Sequence, residues 1–493
     1  MPKIILLALC LLACNTQQPS KSFQQAFYDS HLLFDMDTEV SRQICPVKGE
    51  IPSWLSGTLL RNGPAKFQVG DRRVDWFDGL AMLHAFEFNS QQVTYTNRFL
   101  RSQQYYLMME GKSLDFPGFA ADPCPQTFKN QLSLFVPEDK RGLQNADVSI
   151  QEYADKMVAL TEVPLPVVFD PQSLDTVGVL HYQDALHQGE WESAHPQRDV
   201  SSGETFNYFV RFGQKSSYVI WKMQDGASTR KILAEIPVDQ PAYMHSFALT
   251  ERYVVLTEFP FVVHPLDLML KKKPFIFNYK WKPERGTLFH VVDRSTGKTS
   301  TFKGAPFFAF HHVNAYDQEG KIFIDIVTYS NAEVIDRVTD HSTDANPKDN
   351  TKLERFTLDL AAQTLSQETL FDQSLELPRV SALKTAHTYR YCYATDARFP
   401  ASAKDLRSLY KMDVQTKAFK SWSEEGCYPG EPIFVPNPDK QAEDEGVILS
   451  VILDITHHRS FLLILNAPDF AELARAEVPH AIPAGLHGLW KNR

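Results

Sequence analysis

Thr287-Leu288-Phe289-His290-Val291-Val292-Asp293 is a run of strand-forming residues that ends in Arg294-Ser295-Thr296-Gly297 and resumes at Lys298. β-Branched and aromatic side chains suit a pleated, half-buried surface, whereas Ser, Thr and Gly bond their own backbone or accept unusual dihedrals and so turn the chain. The same alternation recurs elsewhere. Asp317-Gln318-Glu319-Gly320 leads into Lys321-Ile322-Phe323-Ile324-Asp325-Ile326-Val327, and Glu443-Asp444-Glu445-Gly446 leads into Val447-Ile448-Leu449-Ser450-Val451-Ile452-Leu453. No long 3.6-residue periodicity competes with these runs, so the chain is predicted to be all-β. Strands spread evenly over ~450 residues favour a β-propeller over a small sandwich, although no crisp blade repeat is visible. If the two chain ends meet in one blade, the fold is a single domain.

A length of 493 residues is compatible with several domains or with one large propeller. With 43% hydrophobic and 22% charged residues the chain can bury a large core, which excludes disorder as its default state. A formal net charge of −10 gives no general affinity for polyanions and argues against nucleic acid as a partner. Membrane contact would have to be local and apolar.

The N-terminus has its own character: Lys3, an apolar run from Ile4 to Ala13, Cys14, then polar residues from Asn15 to Ser22. That run is too short to span a bilayer and reads as an export signal. Leu11-Leu12-Ala13-Cys14 resembles a bacterial lipoprotein box, with Leu12 bulkier than usual. The expectation is a signal peptide over 1–13, lipid on Cys14, a tether over 14–30 and one propeller domain over 31–493. The protein would be exported and lipid-anchored to a bacterial membrane, on the periplasmic side of the outer membrane. Cys45, Cys124, Cys392 and Cys427 are far apart and show no C-x-x-C spacing, so no zinc or redox motif is indicated and disulfide pairing stays open.

Four strings set a histidine in an apolar or strand-like context: Ser193-Ala194-His195-Pro196, Met244-His245-Ser246-Phe247, Phe310-His311-His312-Val313-Asn314 and Leu486-His487-Gly488-Leu489-Trp490. Sixteen histidines make chance strings expected, and a lone one on a strand is more often core than ligand. A propeller, however, brings the inner strands of separate blades to one axis, where four neutral imidazoles are able to bind Fe(II). Imidazole suits iron, copper, zinc and nickel alike, so the ligand type does not choose the metal. Ligating histidines pass their other N–H to a carboxylate or carbonyl. Three glutamates in apolar strings meet that need: Thr161-Glu162-Val163, Leu375-Glu376-Leu377-Pro378 and Pro429-Gly430-Glu431-Pro432-Ile433-Phe434.

These strings, together with Gly57-Thr58-Leu59-Leu60-Arg61-Asn62-Gly63-Pro64, Trp76-Phe77-Asp78-Gly79, His84-Ala85-Phe86 and Glu431-Pro432-Ile433-Phe434-Val435-Pro436, resemble the carotenoid cleavage oxygenase family over nearly all of residues 30–493. The resemblance implies a seven-bladed β-propeller with a helical and loop cap over the iron face. It implies Fe2+ held by His195, His245, His311 and His487, with Glu162, Glu376 and Glu431 orienting three of them. His311 is preferred to His312 because the family's ligand directly follows the Phe. Asp122-Pro123-Cys124, Ala467-Pro468-Asp469-Phe470 and Leu473-Ala474-Arg475-Ala476-Glu477 resemble the animal branch, which includes β-carotene oxygenases and the retinoid isomerase of the eye. Thr161 stands where stilbene-cleaving members carry Lys, which makes a phenolic stilbene a poor candidate.

The implied reaction joins O2 to one double bond of a carotenoid or apocarotenoid, giving two carbonyl products. The alternatives are a retinoid isomerohydrolase on the same site and a non-catalytic lipid-binding propeller. Val148 favours the isomerohydrolase, because many cleaving members have Thr in that place. An insoluble polyene has to come from lipid. Phe259 to Tyr279, with Phe261, Val262, Val263, Leu266, Leu268, Met269 and Leu270 ahead of Lys271-Lys272-Lys273 and then Phe275, Ile276 and Phe277, reads either as an interface-dipping patch or as a buried strand pair.

Overall fold

The strand Thr287–Asp293 pairs antiparallel with Thr299–Gly304, Thr287 opposite Gly304. The turn between them works as its residues dictate: Asp293 Oδ1 accepts from the backbone N–H groups of Ser295 and Thr296, and Gly297 takes φ +71°. A side chain at Gly297 would also meet the Leu233 carbonyl oxygen at 2.4 Å. A computed structural model describes residues 32–69, 72–111, 119–120, 144–186, 191–270, 273–339, 351–398 and 406–493. The expected signal peptide, lipidated Cys14, tether and Cys124 lie outside the described residues.

Hairpins of this kind build seven sheets, the blades of a β-propeller, beside two short two-stranded ribbons. Blade 2 runs from Ser149–Tyr153 to Thr176–Val179, and blade 3 from Trp191–Glu192 and Gln197–Asp199 to Lys231–Val238. Blade 4 runs from Ala248–Leu249 to Thr299–Gly304, blade 5 from His312–Gln318 to Thr364–Phe371, and blade 6 from Leu375–Arg379 to Phe419–Ser423. In each, the first strand is innermost.

Blades 1 and 7 are built from both ends of the chain. In blade 1 the C-terminal strand Gly488–Asn492 lies innermost against Gly57–Lys66, with Leu489 opposite Leu60. In blade 7, Val47–Gly49 adds to the outer edge of Glu472–Glu477, while Cys427–Pro429 and Ile433–Pro436 form its inner edge. Closure removes free inner edges and ties first and last residues into one ring.

The core is sheet on sheet, and neighbouring blades interdigitate large rings. Trp221 packs edge-on to Tyr153 between blades 2 and 3, Phe289 packs on Phe356 at 5.3 Å between blades 4 and 5, and Tyr393 stacks on Phe434 between blades 6 and 7. Around the axis, polar side chains bind each blade to the next. Asn62 donates to the Ala146 carbonyl, Ser149 to Ala194, Ser193 to His245, Ser246 to Phe310, Asn314 to Lys384 and Thr395 to Pro429; Glu431 of blade 7 accepts from the Gly488 N–H of blade 1.

The described α-helices are short: Gln103–Met109 lies between blades 1 and 2, while Pro265–Leu270 and Glu333–Val338 interrupt blades 4 and 5. Gln104 and Val338 from helices, and Phe119 and Phe275 from loops, line one cavity with the inner histidines, so helix and loop both contribute to that face. The segment Phe259 to Tyr279 divides between the two alternatives. Phe261, Val262, Val263, Leu268 and Ile276 are buried, and Phe261–Val262 pairs with Lys280–Trp281, so these residues do not form an outward patch. Leu266 (53% exposed) and Leu270 (75% exposed) do face outward. The Met269 side chain, Lys271 and Lys272 lie outside the described residues. Cys45, Cys392 and Cys427 are buried free thiols, and burial raises all three, Cys45 to about 11.

Candidate metal centre

The inner strands are not regular where the histidines sit. In blade 3, Glu192 pairs with Phe209 and Gln197 with Phe206, so the inner strand carries more residues than its partner across the gap that holds His195. Phe308 pairs with Tyr329 and His312 with Ile326, leaving a similar excess around His311. Register shifts after Glu376, and Glu431 lies between the two inner segments of blade 7. A bulge bends a strand and re-aims a side chain that strict alternation would turn into a blade interface. Pro196 restricts His195 to extended backbone, and Ser193 Oγ accepts from the His195 N–H at 3.1 Å. His487 precedes the closing strand; its N–H donates to the Val148 carbonyl and its own carbonyl accepts from Asn62.

The result is one cluster: a ring nitrogen from each of His195, His245, His311 and His487, all within 4.8 Å of one another. His195 Nε2 lies 2.8 Å from His245 Nε2, and His311 Nε2 lies 3.2 Å from His487 Nε2. His312 is elsewhere, bonded through Nδ1 to Ser246 Oγ and through Nε2 to Thr257 Oγ1. His311 sits in the irregular stretch just ahead of the strand His312–Gln318, so the two neighbouring rings take different partners.

Behind the cluster, His245 Nδ1 meets Glu162 Oε1 at 2.7 Å, His311 Nδ1 meets Glu376 Oε2 at 2.5 Å and His487 Nδ1 meets Glu431 Oε1 at 2.7 Å. A carboxylate accepts only, so Nδ1 carries the proton on all three rings and each Nε2 presents a lone pair. Burial and the neighbouring imidazoles hold His195 well below its ordinary range, and burial, against the pull of Glu431, lowers His487 to about 3. Neutral rings with lone pairs facing one another repel unless a cation stands between them. The donor set and its spacing fit a single first-row metal ion ligated at about 2 Å.

The glutamates are anchored in turn. Glu162 accepts from Tyr243 Oη at 2.8 Å and Trp191 Nε1 at 3.3 Å, and Glu376 from Tyr329 Oη at 2.7 Å and the Leu377 N–H at 2.9 Å. Glu431 binds Arg61 Nη1 at 2.5 Å and Arg379 Nε at 2.6 Å. Burial acts to raise the Glu431 pKa, but Arg379, His487 and Arg61 outweigh it and hold the carboxylate well below its ordinary range. Arg61, Arg379, Tyr243 and Tyr329 were not identified as site residues from the sequence. Arg61 lies inside a quoted string, but its partner is hundreds of residues away.

The cluster opens into a cavity of about 320 Å3, the lower end of the range for small-molecule sites. Trp76, Phe77, Val148, Trp191, Phe275 and Phe310 supply apolar lining, while Asp396, Arg398 and Arg407 add charge.

Comparison with known proteins places this architecture. The family described as retinal pigment epithelial membrane protein matches residues 33–492. The chain is 31% identical to β,β-carotene 15,15′-dioxygenase of Gallus gallus, covering 90% of this chain and 94% of that one. It is 32% identical to carotenoid isomerooxygenase of Galleria mellonella, covering 90% and 92%. Cobalt-substituted apocarotenoid oxygenase of Synechocystis superposes with a TM-score of 0.82 at 28% identity, over 95% of this chain and 99% of that one.

Proposed function

This chain belongs to the carotenoid cleavage oxygenase family, which includes retinal pigment epithelial membrane protein, and from that premise we propose an Fe(II)-dependent dioxygenase that cleaves a conjugated double bond of a carotenoid or apocarotenoid to two carbonyl products. The observation that carries the reading is the convergence of four imidazole nitrogens, three of them backed by carboxylates. His195, His245, His311 and His487 would hold the ion. Bound iron supplies the centre at which O2 is activated.

The chain's own residues do the rest. Glu162, Glu376 and Glu431 fix the tautomer and aim of three rings. All four ligands are neutral, so the ion keeps its electrophilic character and its charge is offset from behind. Trp191, Phe310, Phe77 and Trp76 supply aromatic faces for a flat polyene and exclude water around it. The test is aerobic incubation of iron-loaded protein with β-carotene, apocarotenals and retinyl ester in 18O2, with products read by mass. Labelled carbonyl products support the reading, and their absence with every polyene overturns it.

Val148 favours a second reading, isomerohydrolysis of a retinoid ester. It lines the cavity and its carbonyl holds the His487 N–H, so the wall beside the centre lacks the hydroxyl of many cleaving relatives. Activity under argon with no label uptake would select it. The leader-like residues 1–13 and Cys14 support export and a lipid anchor on a bacterial membrane, and the exposed Leu266 and Leu270 suit contact with that membrane as the source of an insoluble substrate.

A further inference from the structure

Three polar side chains lining the cavity, Asp147, Gln104 and Arg407, carry an atom with no hydrogen-bond partner among the described residues; the Nε of Arg407 is open while its Nη1 pairs with Asp396, and the other two carry oxygens. Asp147 is 1% exposed, and its Oδ2 has no hydrogen-bond partner among the described residues. Gln104, 9% exposed, leaves Oε1 in the same condition. They come from separate places, Asp147 from the segment ahead of the inner strand of blade 2 and Gln104 from the helix Gln103–Met109. Buried polar groups are almost always paired, because an orphan gives up its hydration for nothing. The open oxygens of Asp147 and Gln104, in one lining with Trp76, Phe77, Phe119, Val148 and Phe275, are the arrangement of a ligand site with a few fixed polar contacts.

The chemistry of the pair is specific. Burial first, and then the charges of Asp78 and Glu162, push the Asp147 carboxyl well above its ordinary range, with only a backbone hydrogen bond acting the other way. The shift favours the protonated carboxyl, which has an O–H to donate. Asp78 has its own work, accepting from the Phe119 N–H at 2.6 Å and the Ala120 N–H at 2.9 Å. Gln104 Oε1 is an acceptor. A donor and an acceptor together match a hydroxyl, and the donor alone matches a carbonyl.

We infer that Asp147 and Gln104 form a receptor for an oxygen function carried by the substrate, so that the cavity selects a hydroxylated or carbonyl-bearing polyene over a hydrocarbon one. The inference rests on the polyene reading above and adds to it the oxygenation state of the substrate and the residues that read it. A site built to hydrogen-bond a substrate oxygen rejects the analogue that lacks it, because its own groups are then left buried and unpaired.

The test measures binding rather than turnover. Iron-loaded protein under argon is titrated with a hydroxylated apocarotenoid, an apocarotenal and a hydrocarbon polyene of equal conjugation, followed by tryptophan quenching. Wild type should bind the oxygenated ligands at least about tenfold tighter, the scale of one well-made hydrogen bond. Asp147→Leu should erase that preference without weakening the hydrocarbon. Asp147→Asn, which keeps a neutral donor, should retain it, and Gln104→Leu should weaken the hydroxylated ligand more than the apocarotenal. Equal wild-type affinities, as expected if a water simply fills the place, overturn the inference and leave the dioxygenase reading standing. So does a preference that survives Asp147→Leu. Failure to bind any polyene overturns both.

Discussion

On the metal wall of the cavity, both oxygens of Glu162, Glu376 and Glu431 have donors, and the unmet demand is four ring nitrogens with lone pairs facing inward. In the lining supplied by Gln103–Met109 and the segment before blade 2, the unmet demand is one carboxyl oxygen and one amide oxygen. The first kind of deficit is filled by a cation, and the second by a molecule that offers hydrogen bonds. One cavity therefore holds a centre that recognises charge and a lining that recognises polarity, and each can be broken without the other.

The largest effect should separate neighbours. His311→Ala is expected to abolish retention of iron through gel filtration, measured by elemental analysis, whereas His312→Ala keeps about one iron per chain. The reverse outcome would shift the metal wall by one residue. Next in size is a change in the scaffold alone: Trp221→Ala should cost about 3–5 kcal/mol in chemical unfolding, for the lost ring and the cavity it leaves, with iron content unchanged. Iron loss there would mean that wall and blade interface are not independent.

A smaller effect sharpens the metal wall itself. Glu162→Gln should lower iron affinity about 10–100-fold by competition with a chelator, with little change in unfolding. Glu431→Gln should add destabilisation of several kcal/mol, because it also strands buried Arg61. Equal behaviour of the two would show that the arginines do not matter. The smallest effect is at the rim, where Leu270→Asp with Phe275→Asp should reduce liposome binding several-fold and leave iron in place. Unchanged liposome binding discards the rim as a membrane contact.

Much of this was legible in the chain. Turn chemistry such as Arg294-Ser295-Thr296-Gly297 marks strands because it acts locally, and the structure uses it as read. The number of blades was not legible from periodicity, since strands range from Trp191–Glu192 to Leu80–Asn89 and the inner ones are bulged; it came from the family resemblance. His311 and His312 have the same neighbours and are both buried, so composition could not part them, while the bulge does. Arg61 and Arg379 escaped because their role exists only across blades. Asp147 was passed over in favour of Val148, since nothing in a sequence says that a polar atom lacks a partner. For Phe259 to Tyr279 the sequence left an interface patch and a buried strand pair open; the strand pair claims Phe261 and Val262, and among the described residues Leu266 and Leu270 face outward.

His487 stands at the threshold of the strand that seals blade 1, so the fourth nitrogen arrives only when Gly488–Asn492 docks against Gly57–Lys66. A chain in which that strand is not yet docked therefore holds at most a partial ligand set, and the four-nitrogen cluster is complete only once the ring has closed. Deleting Leu486 onward would leave a chain with three well-oriented imidazoles and no way to finish either the ring or the centre.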